Sequence, residues 1–372
     1  MIDKRTIVLA AGGTGGHFYP TQALAELLVA SGYRVVLITD TRGYSFKESL
    51  PDIEVYIIKA CGIAKLSIIK KIKGATKLLF GYFDACRLIS ELHPTAVLSF
   101  GGYACVPTVL AASRRGIPII LHEQNAIAGR SNQLLAKKAS IIATSFERIE
   151  KIHEQDQYKI ILVGNPVRAE IRAIRTMDPP PLTPDGPCEI LVTGGSQGAS
   201  IFAKLIPDAI ALMPKRISSR IRIVQQARLN EINQVIAAYR KIGINADVSQ
   251  FFNDMPQRLR AANLLICRSG ASTLAENTVA GRPALLVPYP NSVDDHQTAN
   301  ARAVEAAGGG MLLPQANLTP KYLAQLLTDL LNNTKQLSYM SSAARAYGRP
   351  NAAKDLASIL LSVIGLDKNL ST

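Results

Sequence analysis

Residue types able to do chemistry gather at a few turns. Ala11-Gly12-Gly13-Thr14-Gly15-Gly16-His17 follows the apolar run from Thr6 to Ala10 directly and leads into a helical pattern. Glycines at four of five positions let a backbone approach a ligand closely, and the N–H groups of a helix start favour a phosphate or a developing alkoxide. His17 closes the turn, with an imidazole whose unperturbed pKa of about 6.5 leaves it able to accept a proton near pH 7. A glycine turn can also serve only to pack a helix on its strand, and a histidine can sit at a helix start without chemistry. A dinucleotide fingerprint, with Asp40 as the ribose-binding acid, is the nearest alternative. It fails on spacing, because Phe18 stands where the third glycine belongs, and no Gly-Lys-Ser/Thr makes a Walker loop.

Other turns repeat the pattern. Ser99-Phe100-Gly101-Gly102-Tyr103 and Leu121-His122-Glu123-Gln124-Asn125 end apolar runs, and Gly194-Gly195-Ser196-Gln197-Gly198 follows the run from Cys188 to Thr193. Cys267-Arg268-Ser269-Gly270-Ala271-Ser272-Thr273-Leu274-Ala275-Glu276 is a strand end, a small-residue turn and a helix start. Its amides, with the Ser272 and Thr273 hydroxyls, suit a diphosphate held without a metal. Glu276, about one turn in, can chelate the vicinal hydroxyls of a ribose, or simply be an acid favoured by the helix dipole. Asp295, His296, Gln297 and Asn300 form a donor and acceptor cluster fit for sugar hydroxyls.

The elements that must position these groups alternate strand and helix. Strands are expected near 6–11, 34–39, 55–59, 95–100, 118–122, 140–144 and 159–163, which predicts a doubly wound parallel α/β sheet with the first three punctuated strand ends lining one crevice. Five prolines within 178–187 mark an exposed loop near a domain junction. The architecture then starts again, with strands near 188–193, 220–226, 246–249, 263–267 and 283–287 and helices near 320–332, 336–346 and 350–364. The domains read as 1–167 and 168–346, with a helix in 347–372 packing back on the first. A chain of 372 residues suits two such cores.

With 42 Lys and Arg against 28 Asp and Glu, the net charge of +14 points to a polyanionic partner: nucleic acid, an anionic membrane surface or phosphorylated substrates. The absence of tryptophan and the scarcity of aromatics among the basic residues argue against nucleic acid. Five scattered cysteines without a Cys-x-x-Cys pair read as reduced core residues. No Asp-x-Asp spacing at a strand end suggests a metal. No apolar run reaches the roughly 18 residues of a membrane span, and the N-terminus lacks the pattern of a cleaved signal. Between Ile63 and Ile89, however, Lys65, Lys70, Lys71, Lys73, Lys77 and Arg87 interleave with Ile68, Ile69, Ile72, Leu78, Leu79, Phe80, Tyr82 and Phe83. That mixture predicts a segment lying on an anionic membrane, extended by Arg114, Arg115, Lys137 and Lys138, although an ordinary core helix is the competing reading.

Taken together, Gly12 to His17, Gly101-Gly102-Tyr103, His122 to Asn125, Gly164-Asn165-Pro166-Val167-Arg168, Gly194 to Ala199, Cys267 to Ala271, and His296-Gln297 resemble the MurG family. These bacterial glycosyltransferases add N-acetylglucosamine to undecaprenyl-pyrophosphoryl-muramoyl-pentapeptide, turning lipid I into lipid II in peptidoglycan synthesis. The resemblance runs through nearly the whole chain. It implies a GT-B fold, two facing Rossmann-like domains with a cleft between them, and an inverting transfer from UDP-N-acetylglucosamine without a cofactor. The first domain takes the lipid acceptor and the second the nucleotide sugar. By the same resemblance Arg168 and the backbone near Phe252 serve the uracil, Ser196 and the turn from Ala271 through Thr273, Leu274 and Ala275 the diphosphate, and Glu276 the ribose. Asn125 and Gln297 address the N-acetylglucosamine, which Thr14, Gly15 and Gly16 border. His17 is the candidate base and Glu123 the alternative. Ser272 departs from the apolar residue common at that position. A peripheral place on the cytoplasmic face of the inner membrane, with other cell-wall synthesis proteins as partners, is also implied. Rival readings are a related GT-B enzyme with another acceptor and an NAD-dependent oxidoreductase.

Overall fold

The structure is a computed structural model that describes residues 5–44, 47, 50, 52–60, 68–177, 180, 183, 185–195 and 198–365, with side chains left undescribed over 68–75. The chain divides into two compact units, one formed by the residues up to Arg168 and from Pro350, the other by Ala169–Arg349.

In the first unit β1 (Thr6–Ala11), β2 (Arg34–Thr39), β3 (Glu54–Ile57), β4 (Ala96–Ser99), β5 (Ile119–Glu123), β6 (Ile141–Thr144) and β7 (Ile160–Leu162) form a parallel sheet in the order β3-β2-β1-β4-β5-β6-β7. Every residue of β1 is buried, as a central parallel strand covered on both faces requires. Helices α1 (Gly15–Ala30), α2 (Ile68–Leu92), α3 (Cys105–Arg114) and α4 (Arg130–Leu135) provide that cover. Strand order reverses between β1 and β4, so the helices that follow them, α1 and α3, pack in opposite cores and leave a crevice at the strands' carboxyl ends.

The second unit holds α5 (Ala169–Ile174), β8 (Cys188–Thr193), α6 (Ser200–Ala211), α7 (Lys215–Ser218), β9 (Ile221–Gln226), α8 (Ile232–Lys241), β10 (Asn245–Ser249), α9 (Met255–Ala261), β11 (Leu264–Cys267), α10 (Ala271–Ala280), β12 (Ala284–Leu286), α11 (His296–Ala306), β13 (Gly310–Leu312), α12 (Pro320–Asn332) and α13 (Thr334–Tyr347). Its parallel sheet runs β10-β9-β8-β11-β12-β13, with the same reversal between β8 and β11. Strand β13 was not expected. It has three residues and begins at the end of a triple glycine, where Gly310 lies so near the Ala284 carbonyl and Leu286 that a Cβ would crowd both.

The last helix, α14 (Ala352–Val363), belongs to the first unit: Leu356, Ala357 and Leu360 are buried with Ile7, Leu9, Leu24 and Leu28. The division differs slightly from the expected one. Arg168 falls in the first unit, its guanidinium 4.7 Å from the centre of the Tyr19 ring on α1. Residues 347–349 stay with the second, where the Gly348 backbone is pressed against Thr278 of α10 so closely that a Cβ could not fit. Cys105, Cys188 and Cys267 are unpaired and buried, each with its thiol pushed up to about 12 by burial, so they stay protonated core residues.

Truncating Leu356 or Leu360 to alanine should therefore destabilise the first unit by about 2–5 kcal/mol. Amide exchange is expected to quicken in β1 and α1 and stay unchanged in β8, whereas uniform protection would show that α14 contributes nothing to that core.

Candidate active site

The turns after β1 and β4 meet backbone to backbone. Gly12 N–H donates to the Gly101 carbonyl at 3.1 Å, and Gly101 and Gly102 both have φ near +86°, a conformation that favours glycine. A Cβ on Gly12 would lie 3.3 Å from His17 Cδ2 and 3.4 Å from the Gly101 oxygen, so the imidazole packs directly on this glycine contact. Thr14 caps α1 without a side-chain hydrogen bond, and Thr14 and Gly16 are exposed at the helix start while Gly15 is buried. Gly102 N–H donates to Ser131 Oγ, tying the second turn to α4.

The end of β5 completes the cluster, so the three punctuated strand ends converge. Gln124 Oε1 lies 3.2 Å from His17 Nδ1. Burial lowers the pKa of His17 below 6.5, outweighing the upward pull of the Glu123 carboxylate and of the Gln124 hydrogen bond. The ring is accordingly neutral at pH 7 and able to take a proton. Glu123 is placed differently. Its Oε1 accepts from the Asn125 amide at 2.9 Å and Asn125 Nδ2 at 3.3 Å, and its Oε2 from the Gly129 amide at 2.9 Å and Asn132 Nδ2 at 2.8 Å. Four donors occupy a buried carboxylate, which fits a strut holding the loop from Asn125 to Gly129 better than a proton acceptor. Asn132 was not singled out from sequence, since nothing in its own neighbourhood marks it. Asp40, the acid a dinucleotide site would need, is also occupied: Arg42 Nε and Nη2 and the Arg42 and Gly43 amides all donate to it.

In the second unit α10 begins at Ala271 behind Gly270, whose cap carries no side-chain hydrogen bond, and a helix start of this kind favours an anion. Ala271 and Leu274 are buried, while Ser272, Thr273, Ala275 and Glu276 are partly exposed. Gln297 Oε1 accepts from the Ser269 amide at 3.2 Å and the Tyr289 amide at 2.9 Å, and Asn300 Nδ2 donates to the Ser269 carbonyl. The turn before α11 is strained, with Asp294 and Asp295 at φ 54° and 56°. Arg268, quoted in sequence without a role, is buried between the rings of Phe202 and Tyr289 and donates to the Val287 and Pro288 carbonyls and to Gln315. Phe252 is buried beneath the Arg258 guanidinium. Ser196 lies outside the described residues. Among the described residues no group of three or more His, Cys, Asp or Glu could hold a metal ion.

The expected membrane segment falls on α2. Leu79, Phe80 and Phe83 are 55%, 59% and 61% exposed, whereas Ala85, Leu88, Ile89 and Leu92 are buried in the core. Beside them a groove of about 560 Å³, lined by Leu78, Leu79, Tyr82, Pro107, Leu110 and Arg114, runs between α2 and α3. Arg114, Arg115, Lys137 and Lys138 are exposed. Lys65 lies outside the described residues, as do the side chains of Ile68, Ile69, Lys70, Ile72 and Lys73. No helix among the described residues is long and apolar enough to cross a membrane.

Two parallel α/β units, each with a switch point in its strand order, are the architecture of the GT-B fold. Residues 7–144 match the glycosyltransferase family 28 N-terminal domain and residues 189–356 its C-terminal domain. A relative from Rhodospirillum centenum, named UDP-N-acetylglucosamine-N-acetylmuramyl-(pentapeptide) pyrophosphoryl-undecaprenol N-acetylglucosamine transferase, is 45% identical over 366 residues, 98% of this chain and 96% of the relative. A crystal structure of MurG from Acinetobacter baumannii superposes with a TM-score of 0.77 at 31% identity, covering 96% of this chain and 99% of that one. The chain belongs to the MurG family within glycosyltransferase family 28. A putative UDP-N-acetylglucosamine 2-epimerase from Listeria monocytogenes, with a TM-score of 0.69 at 16% identity over 99% of this chain and 100% of its own, shares the fold alone.

The two base candidates are separable by stability. Glu123→Gln turns an NH2 group toward backbone and Asn132 donors, so it should cost about 1–3 kcal/mol in urea unfolding. A variant as stable as the parent but slower would return Glu123 to candidacy as the base.

Proposed function

We propose that this enzyme moves N-acetylglucosamine from UDP-N-acetylglucosamine to the muramoyl 4-hydroxyl of lipid I, giving lipid II with inversion at the anomeric carbon. The observation that carries the reading is His17 packed on the Gly12–Gly101 contact, where burial lowers its pKa, in a chain whose relatives bear that activity in their names. In a single displacement the acceptor oxygen forms the new bond to C1 and its proton passes to His17. The C1–O bond to the β-phosphate breaks, and its electron pair leaves with UDP. The start of α10, with Ser272, Thr273, Leu274 and Ala275 in its first turns, stabilises the charge growing on the diphosphate. Ser196 joins that subsite, Glu276 takes the ribose, and Arg168 and Phe252 serve the uracil. Gln297 in the second unit, and Asn125, Thr14, Gly15 and Gly16 in the first, serve the N-acetylglucosamine.

The acceptor carries a polyprenyl chain, so the enzyme must work at a bilayer surface. The exposed Leu79, Phe80 and Phe83 on α2 enter the acyl region, and Arg114, Arg115, Lys137 and Lys138 meet anionic headgroups on the cytoplasmic face. Proteins of wall synthesis are the natural neighbours there.

Mass spectrometry of lipid I incubated with the enzyme and UDP-N-acetylglucosamine should show the gain of one N-acetylhexosamine, and no gain would overturn the assignment. His17→Ala should lower kcat by roughly 10²–10⁴-fold with donor affinity nearly unchanged. Because the neutral imidazole is the active form and burial lowers its pKa, activity should fall on acidification only below pH 6.5. A loss seen mainly as weaker UDP-sugar binding would remove His17 from the role.

For the membrane, combined Leu79→Ser, Phe80→Ser and Phe83→Ser should abolish flotation with phosphatidylglycerol or cardiolipin vesicles and spare transfer to a short-chain soluble acceptor. All three side chains are exposed, so folding should survive. Undiminished flotation would place the contact elsewhere.

A further inference from the structure

His17 does not stand alone: a line of buried polar groups runs behind it and determines which of its nitrogens carries the proton. Gln124 Nε2 donates to the Phe100 carbonyl at 2.9 Å and lies 3.0 Å from His122 Nδ1. A backbone carbonyl can only accept, so the Gln124 amide is oriented with its NH2 toward Phe100 and its oxygen toward His17. That oxygen also can only accept, and the group it faces at 3.2 Å is His17 Nδ1. At the other end His122 Nε2 lies 2.9 Å from the Gly164 carbonyl, which requires a proton on Nε2 and leaves His122 Nδ1 as the acceptor for Gln124. Two carbonyls, of Phe100 and Gly164, thus determine every proton along the line.

We propose that Gln124, oriented by the Phe100 carbonyl and by His122, is a positioning residue that locks His17 in the tautomer protonated at Nδ1, so that Nε2 carries the lone pair turned to the acceptor hydroxyl. This rests on the assignment of His17 as base. His122 and Gln124 are buried, so the line is shielded from water that could supply alternative partners. Burial also pulls the His122 pKa down to about 4, so the ring stays neutral wherever the enzyme works and Nδ1 remains an acceptor. The charged groups facing His17 are the Glu123 carboxylate at the end of β5 and the Arg42 guanidinium after β2, and they act in opposite directions on its protonation. The Gln124 contact favours the protonated ring, since Nδ1–H donates more strongly to the amide oxygen when the imidazole is charged.

The test uses the full-length enzyme labelled with ¹⁵N at its five histidines, the His17 signals being assigned by their loss in His17→Gln. Long-range ¹H–¹⁵N correlation at pH 7.5 should show His17 with a protonated Nδ1 and a bare Nε2. A protonated Nε2, or averaging between tautomers, in the unsubstituted enzyme would overturn the proposal. Gln124→Met keeps the side-chain length and removes the acceptor. Its His17 signals should average, kcat should fall about 10- to 100-fold with the KM for UDP-N-acetylglucosamine within about twofold, and the acid limb of kcat/KM should move to lower pH. Loss of correctly folded enzyme would lower the plateau without moving the limb, and an unmoved limb with unaveraged signals would overturn the role of Gln124. If the wild-type tautomer is as stated but His17→Ala still transfers sugar, the lock stands and the assignment of the base falls.

Discussion

The hydrogen bond from the Gly12 amide to the Gly101 carbonyl is the contact on which the first unit's site depends. It exists because β1 and β4 are neighbours across the reversal of strand order, and it is possible only because neither turn carries a Cβ where they meet. Two backbones this close leave one opening, and the His17 ring fills it, with Gly12, Gly101 and Gly102 against its edge. An alanine at any of these glycines would push on the imidazole or strain a backbone at positive φ. The glycines therefore position a side chain as much as they clear a path for a ligand. The positioning reaches further through Gly102, whose amide is held by Ser131 at the start of α4.

Around that contact the protein buries His122, Glu123 and Gln124 in succession at the end of a central strand, a costly composition unless each group is satisfied. The satisfaction is nearly complete and it divides the labour. Glu123 is committed to four donors and holds the loop that follows, whereas His17 meets Gln124 Oε1 through Nδ1 and the Phe100 backbone beside it. On the proposed mechanism the less committed group takes the proton, and the saturated one supplies rigidity. Fixed dipoles of this kind need no reorganisation when a proton moves, which is where such a site gains over water.

Much of this was legible in the sequence. The strands from β1 to β12 announce themselves as apolar runs ending in glycine or polar turns, and the repeat of that pattern after the proline-rich loop marks the second unit. β13 left no such trace, because three residues that open with glycine carry no period. Sequence could also name Glu123, Asp40 and Arg268 as chemically capable without seeing that each is spent. Arg42 and the Gly43 amide take Asp40, and the carbonyls of Val287 and Pro288 take Arg268. Spending is a property of the partners, and for Glu123 one partner is Asn132, nine residues away on a helix whose sequence has no signature. The exposure of Leu79, Phe80 and Phe83 agrees with the run of lysines that precedes them, Lys77 the nearest. The burial of Leu88, Ile89 and Leu92 on the same helix shows that α2 is both a core helix and a surface one, divided along its length.

The two units reach opposite chemical ends from the same topology. Behind β1 and β4 the first, on the proposed tautomer, offers an acceptor, the bare Nε2 of His17. Behind β8 and β11 the second offers donors: the start of α10 and the Gln297 amide, whose oxygen is bound by the Ser269 and Tyr289 N–H groups, so that its NH2 faces away from them. A glycosyl displacement needs this asymmetry, since the attacking hydroxyl must give up a proton while the departing diphosphate gathers negative charge. The orientation of Gln297 follows from its two backbone donors in the way that of Gln124 follows from the Phe100 carbonyl. In both units, then, an amide side chain that could point either way is turned by main-chain groups, one to face an imidazole with its oxygen and the other to keep its hydrogens for a ligand. The sheet's backbone thereby sets the polarity of the site.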